Sequence, residues 1–141
     1  MKNRNNQLTA VLFVVALALA PIIQAAIPEG ENSPVITIHS TDNVIRGKTG
    51  SFVLDMKPRL LLGGMYVNFS LSGSAVAGVD YVQPLSPTYI GQSGYGTILI
   101  QTLPDRRAGS SRQAYSVVVT LEPGAGYALG IPSSATMWIK P

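Results

Sequence analysis

Cysteine is absent from this chain of 141 residues, histidine and tryptophan occur once each, and charged residues make up 12%. Without cysteine there are no disulfides and no thiolate metal sites. An exported domain of this composition therefore depends on packing and sheet hydrogen bonds alone. Seven acids and one His leave few groups for acid–base chemistry. No apolar run reaches the roughly 20 residues that a spanning helix needs. The longest, residues 8–23, is interrupted by Thr9 and Pro21.

That run has the shape of an export signal. Lys2 and Arg4 precede it, and the small residues Ala25 and Ala26 follow. A basic start, an apolar middle and a small-residue exit describe a secretory signal peptide over residues 1–25, cleaved after Ala25 or Ala26. No cysteine follows at which a lipid could be attached. Cleavage would leave no stable membrane anchor and would place the mature chain in the secreted, periplasmic or cell-surface compartments. It would also remove Lys2 and Arg4 from the ten basic residues, leaving them one ahead of the seven acids. A nearly neutral domain offers no footprint for nucleic acid.

Residues 26–34 carry two prolines and a glycine and read as a flexible lead-in. From residue 35 to 141, short β-rich runs alternate with turn residues and no helical period persists. Strands are expected at 35–39, 51–56, 65–71, 79–82, 97–103, 114–121 and 135–140. In the second, Phe52, Leu54 and Met56 share one face. In the third, Met65, Val67, Phe69 and Leu71 do, and in the sixth Tyr115, Val117, Val119 and Leu121. Side chains alternate across a strand, so each run has one face for a core and one for water. About seven such strands require a second layer over the apolar face, giving an all-β fold of two packed antiparallel sheets.

The stretch Leu71-Ser-Gly-Ser-Ala-Val-Ala-Gly-Val-Asp-Tyr81 resembles the "G-T-A-x-x-G-x-D-Y" turn of the Calx-beta family. Ile90-Gly-Gln92 followed by Gly96-Thr-Ile-Leu-Ile-Gln-Thr102 resembles that family's "I-P-A-G-Q … A-T-I-x-V" hairpin, and Tyr115–Leu121 its penultimate strand. The stretch Gly126-Tyr-Ala-Leu-Gly-Ile-Pro-Ser-Ser-Ala-Thr-Met-Trp-Ile139 resembles its closing "G-Y-x-x-G-x-P-S-S-A-T-V-T-I". Four elements in order span about residues 43–139. The resemblance implies an immunoglobulin-like antiparallel β-sandwich, a fold common in extracellular adhesion and matrix proteins. Some members bind calcium at one end through acids from several loops.

Those acids are mostly missing from this chain. The family's acidic loop "D-D-x-x-x-E-x-x-E" corresponds to Pro104-Asp-Arg-Arg-Ala-Gly-Ser-Ser-Arg-Gln113, where Asp105 stands among Arg106, Arg107 and Arg112. The early "V-x-E-G" reads Val44-Ile-Arg-Gly47, with Arg46 in place of the acid. Calcium takes six to eight oxygen ligands, usually several carboxylates, so neither calcium nor any other cofactor is expected. Asp80, the aspartate of the "D-Y", is expected to cap its own turn through backbone N–H groups. Asp105 can pair with a neighbouring arginine.

Other constellations carry less. Gly91-Gln-Ser-Gly-Tyr95 lacks the last glycine of a nucleophile elbow. His39 beside Ser40 and Asp42 is a strand end, since neighbours in sequence are not a triad. Gly124-Ala-Gly126 has Leu129 where a nucleotide loop needs glycine. Asn68-Phe-Ser70 matches a glycosylation sequon. Two features remain for partner contact. Arg106, Arg107 and Arg112 form either a solvated loop or a seat for an anionic partner such as surface polysaccharide. Alternation turns Trp138 outward on a strand that could form a sheet edge. There it either contacts a protein or packs on Tyr66 or Tyr89. The expected protein is thus a non-catalytic adhesion-type module. A calcium-binding Calx-beta domain and a subunit of a surface assembly are the rival readings, and the oligomeric state is open.

Overall fold

The computed structural model describes residues 33–107 and 113–141. The expected signal peptide, nearly all of the lead-in and Arg112 lie outside the described residues. Ten strands run through the rest: β1 Val35–Ser40, β2 Val44–Ile45, β3 Thr49–Lys57, β4 Met65–Val67, β5 Phe69–Ser72, β6 Thr88–Ile90, β7 Tyr95–Gln101, β8 Tyr115–Leu121, β9 Ala128–Leu129 and β10 Ser134–Lys140.

One sheet has the order β7-β3-β1-β9 and the other β2-β10-β8-β5. The long ladders are antiparallel, with Ile36 opposite Met56, Phe52 opposite Ile98 and Met137 opposite Val117. Two-residue parallel pairings close the edges, β9 on β1 and β2 on β10. A third ladder, β4 with β6, lies beside β7, where the Thr88 hydroxyl donates to the Thr97 carbonyl at 3.3 Å.

Period-2 alternation produces the core. Ile36 and Ile38 of β1, Phe52, Leu54 and Met56 of β3, and Ile98 and Ile100 of β7 face inward from one sheet. Val117, Val119 and Leu121 of β8, with Met137 and Ile139 of β10, meet them from the other. The alternate positions are mostly polar, with Val53, Leu99, Val118 and Trp138 among them, and face water. Gly50 of β3 faces the Met137 thioether of β10 across the layers, so an added Cβ would force that side chain to shift.

The architecture is the all-β sandwich expected, but two strand assignments change and three short strands are added. The run 65–71 is two strands. At Asn68 the chain leaves β6 and joins β8, and the local backbone groups are met by loops. The Asn68 N–H donates to the Tyr127 hydroxyl, and its carbonyl accepts from the Glu122 N–H. Val67 and Phe69 are both buried, so inward alternation continues through a change of partner that it cannot reveal. Residues 79–82 are a turn instead of a strand. The Asp80 N–H donates to the Val76 carbonyl at 2.8 Å, and only Tyr81 forms bridges, to Ala77 and Thr102. Strands β2, β6 and β9 are only two or three residues long, too short to leave a period in the sequence.

Candidate functional site

Three turns meet at one end of the sandwich. Between β2 and β3, Arg46 donates its backbone N–H to the Lys140 carbonyl, and Gly47 turns the chain at φ +80°. The hydroxyl of Thr102 donates to the Lys48 carbonyl at 2.6 Å, tying this turn to the end of β7. In the turn after β5, Gly78 takes φ +79° and Tyr81 is buried. The carbonyl of Asp80 accepts from the Leu103 N–H at 2.8 Å, which fastens this second turn to the segment leaving β7. That third segment, Leu103 to Arg107, supplies Asp105 and Arg107.

Asp80 has 0% exposure at the centre. Its Oδ1 accepts from Arg46 Nη2 and Arg107 Nη1, each at 2.7 Å. Its Oδ2 accepts from Arg107 Nη2 at 2.8 Å and from the Val76 N–H at 2.7 Å. Arg107 thus grips the carboxylate with both terminal nitrogens, the strongest geometry for this pair. Asp105 Oδ1 accepts from the Arg107 backbone N–H at 3.0 Å, and its Oδ2 lies 3.7 Å from Arg46 Nη2. Arg46 Nη1 donates to the Leu103 carbonyl at 3.1 Å. Both guanidiniums lie over the Tyr115 ring at the start of β8, with Arg107 Cζ 4.3 Å and Arg46 Cζ 5.4 Å from its centroid.

Two carboxylates and two guanidiniums balance in this cluster. Burying a lone carboxylate costs several kcal/mol, whereas burying it with satisfied partners recovers most of that. The Arg107 guanidinium holds the Asp80 carboxyl well below its ordinary range; burial opposes this, and the Val76 N–H and Arg46 reinforce it. Burial pushes the neighbouring Tyr81 phenol up, and the Asp80 charge adds to the rise.

The structure separates the residues expected at this loop. Arg107 is taken up by Asp80 and keeps 31% of its side chain exposed. Arg106 is exposed and borders a cleft of about 340 Å³ with Gly78, Val79, Leu103 and Pro104. Arg112 lies outside the described residues. Asp80 does cap its turn at Val76, but its larger role, gathering Arg46 and Arg107, was not anticipated. The signal was present as arginines in segments where the resemblance implies acids, Arg46 in one and Arg107 beside Asp105 in the other, while Asp80 matched.

Trp138 is 45% exposed on the outer face of β10, opposite Ser116. Its backbone N–H donates to Asn43 Oδ1 at 3.0 Å, which caps β10 just beyond the two residues that β2 covers. Tyr66 and Tyr89 pack on each other, centroids 5.2 Å apart, across the β4–β6 ladder. His39 is exposed, and Ser40 Oγ donates to the Asp42 carbonyl. No group of three His, Asp or Glu side chains among the described residues is arranged to hold a metal.

No family profile matches the chain, and no curated protein does. Solved structures do match. The calcium binding domain CBD12 of CALX1.1 aligns with a TM-score of 0.54 at 15% identity, over 73% of this chain and 43% of that one. CBD12 of CALX1.2 aligns with a TM-score of 0.50 at 16% identity, over the same shares. The chain spans less than half the length of these structures. At this identity the likeness is one of fold: the chain shares the β-sandwich of these domains.

Proposed function

We propose that the protein is an exported, non-catalytic binding or structural module of the adhesion type, whose loop end is held together by arginine instead of calcium. One observation carries the reading. All four hydrogen bonds to the Asp80 carboxylate come from Arg46, Arg107 and the Val76 N–H. The solved structures of this fold are described as calcium binding domains. A divalent cation there gathers oxygen ligands from several loops; here the ligands are two carboxylates, and two guanidiniums already stand between them. A calcium ion would have to displace Arg107 from Asp80 and then sit beside two positive charges, so the residues present do not fit that ion. The guanidiniums perform the same mechanical task, tying the 46–48 turn, the 76–81 turn and the 103–107 segment into one unit. Function then rests on contact surfaces, with Arg106 exposed beside the tied loops for an anionic partner.

The basic start, apolar run and small-residue exit of residues 1–25 support the exported part of this reading. Thermal melting of the protein with and without millimolar calcium tests it. A ligand that binds only the native state raises stability by mass action. The expected result is an unchanged Tm, and a rise of several degrees would restore calcium as the organiser of this end.

A further inference from the structure

The opposite end of the sandwich carries an apolar tip in water. Between β3 and β4 the chain runs Pro58-Arg-Leu-Leu-Leu-Gly-Gly64. Leu60 packs against the core, while Leu61 and Leu62 are 95% and 85% exposed. Nothing in the fold needs these two leucines outside, and two adjacent, almost fully exposed leucines at a loop tip have no counterpart elsewhere among the described residues. Arg59 and Lys57 precede them, both exposed. Lys57 lies 3.2 Å from Asp55, and Arg59 has no ion pair among the described residues. At the base of the loop stand the half-exposed rings of Tyr66 and Tyr89, with the Tyr89 hydroxyl beside Gly64.

The arrangement is two leucines at the turn, cations on the arm that leaves β3 and tyrosines at the base of the loop. It matches the layers of a membrane surface. Acyl chains take the leucines, anionic headgroups take the cations, and tyrosine suits the boundary because one end of its ring is apolar and the other polar. The chain also enters the sandwich here, since Val35 is the register partner of Lys57.

We infer that the Leu61–Leu62 tip is a site of peripheral contact with anionic phospholipid bilayers, steered by Arg59 and Lys57. The contact goes beyond the proposed function and stands independently of whether calcium binds the other end.

The absence of native cysteine makes a single label unique. In the full chain, Leu62→Cys carrying a polarity-sensitive dye is mixed with phosphatidylcholine vesicles, with or without phosphatidylglycerol. Val79→Cys, at the Asp80 end, is the control, because the apolar run 8–23 could itself bring the chain to lipid. The dye at position 62 should shift to the blue on the anionic vesicles and be quenched by acyl-chain nitroxide, and the dye at position 79 should do neither. Adding Arg59→Gln should raise the lipid concentration for half-maximal signal about fivefold. Three results would overturn the inference: no change at position 62, an equal change at both positions, or a shift at position 62 produced by raising protein concentration without vesicles. The last would seat a second copy of the chain on the tip. Both labelled sites are exposed, so folding of the variants is verified by their melting.

Discussion

At one end of the sandwich a carboxylate with no exposure is gripped by two guanidiniums, and at the other two leucines stand almost wholly in water. The same two sheets support both. The first end spends four charges internally: Asp80 and Asp105 face Arg46 and Arg107. The second end leaves two leucines and Arg59 unspent. Burying polar groups demands partners, so the Asp80 end must be ordered to exist at all. Exposed leucines demand nothing of the fold, so the Leu61–Leu62 end is free to be shaped by contact. Stability should therefore be concentrated at the first end and interaction at the second.

Substitutions at the two ends sharpen that contrast. Asp80→Ala has the largest expected effect, because it leaves Arg46 and Arg107 facing each other without their shared carboxylate. A loss of about 3–5 kcal/mol is expected for a broken buried pair, read by denaturant unfolding. Arg107→Ala should cost about 2 kcal/mol, the scale of hydrogen bonds to a charged group, since Arg46 and the Val76 N–H still hold Asp80.

Acid breaks the same end more gradually. The Asp80 carboxyl is held below the value of about 3.9 that it has in the unfolded chain, so the unfolded state takes up the proton first as the pH falls. The stabilisation is present in full above that value and is lost as the pH drops from there through the folded one. A Tm measured from pH 7 down to pH 2 should hold to about pH 5 and then decline. The decline should be shallower in Asp80→Asn, and an equally steep one would assign the acid sensitivity to other carboxylates. At the far end, Leu61→Ser or Leu62→Ser should change unfolding stability by no more than about 0.5 kcal/mol. A larger loss would mean that the tip packs within the molecule and that the contrast between the ends is false.

Much of the fold was legible in the sequence because it is written in local alternation. Phe52, Leu54 and Met56 against Ser51, Val53 and Asp55 place β3 and its buried face without any knowledge of its partners. What alternation cannot carry is the identity of the neighbouring strand, and so the change of sheet at Asn68 was invisible. The Asp80 site was legible only in part. The turn that presents Asp80 is a local pattern, but Arg46 and Arg107 come from segments distant in sequence. Their meeting is a product of topology. An arginine read as a missing acid suggested only a lost ligand, and the folded geometry shows what the guanidinium does instead. Exposure at Leu61 and Leu62 was hidden for a related reason. Leu60, Leu61 and Leu62 are identical in sequence, and only the packed structure separates the one that enters the core from the two that do not.

The account stands on the two guanidiniums acting as structural counter-ions to one buried carboxylate. A double-mutant cycle on Asp80→Ala and Arg107→Ala, read by denaturant unfolding in calcium-free buffer, measures that coupling free of the separate cost of each truncation. The prediction is a coupling of about 2–3 kcal/mol, near the upper end for residues in one ion-pair network. A coupling near zero would mean that Arg107 and Asp80 contribute independently, and that something other than this pair closes the end of the sandwich.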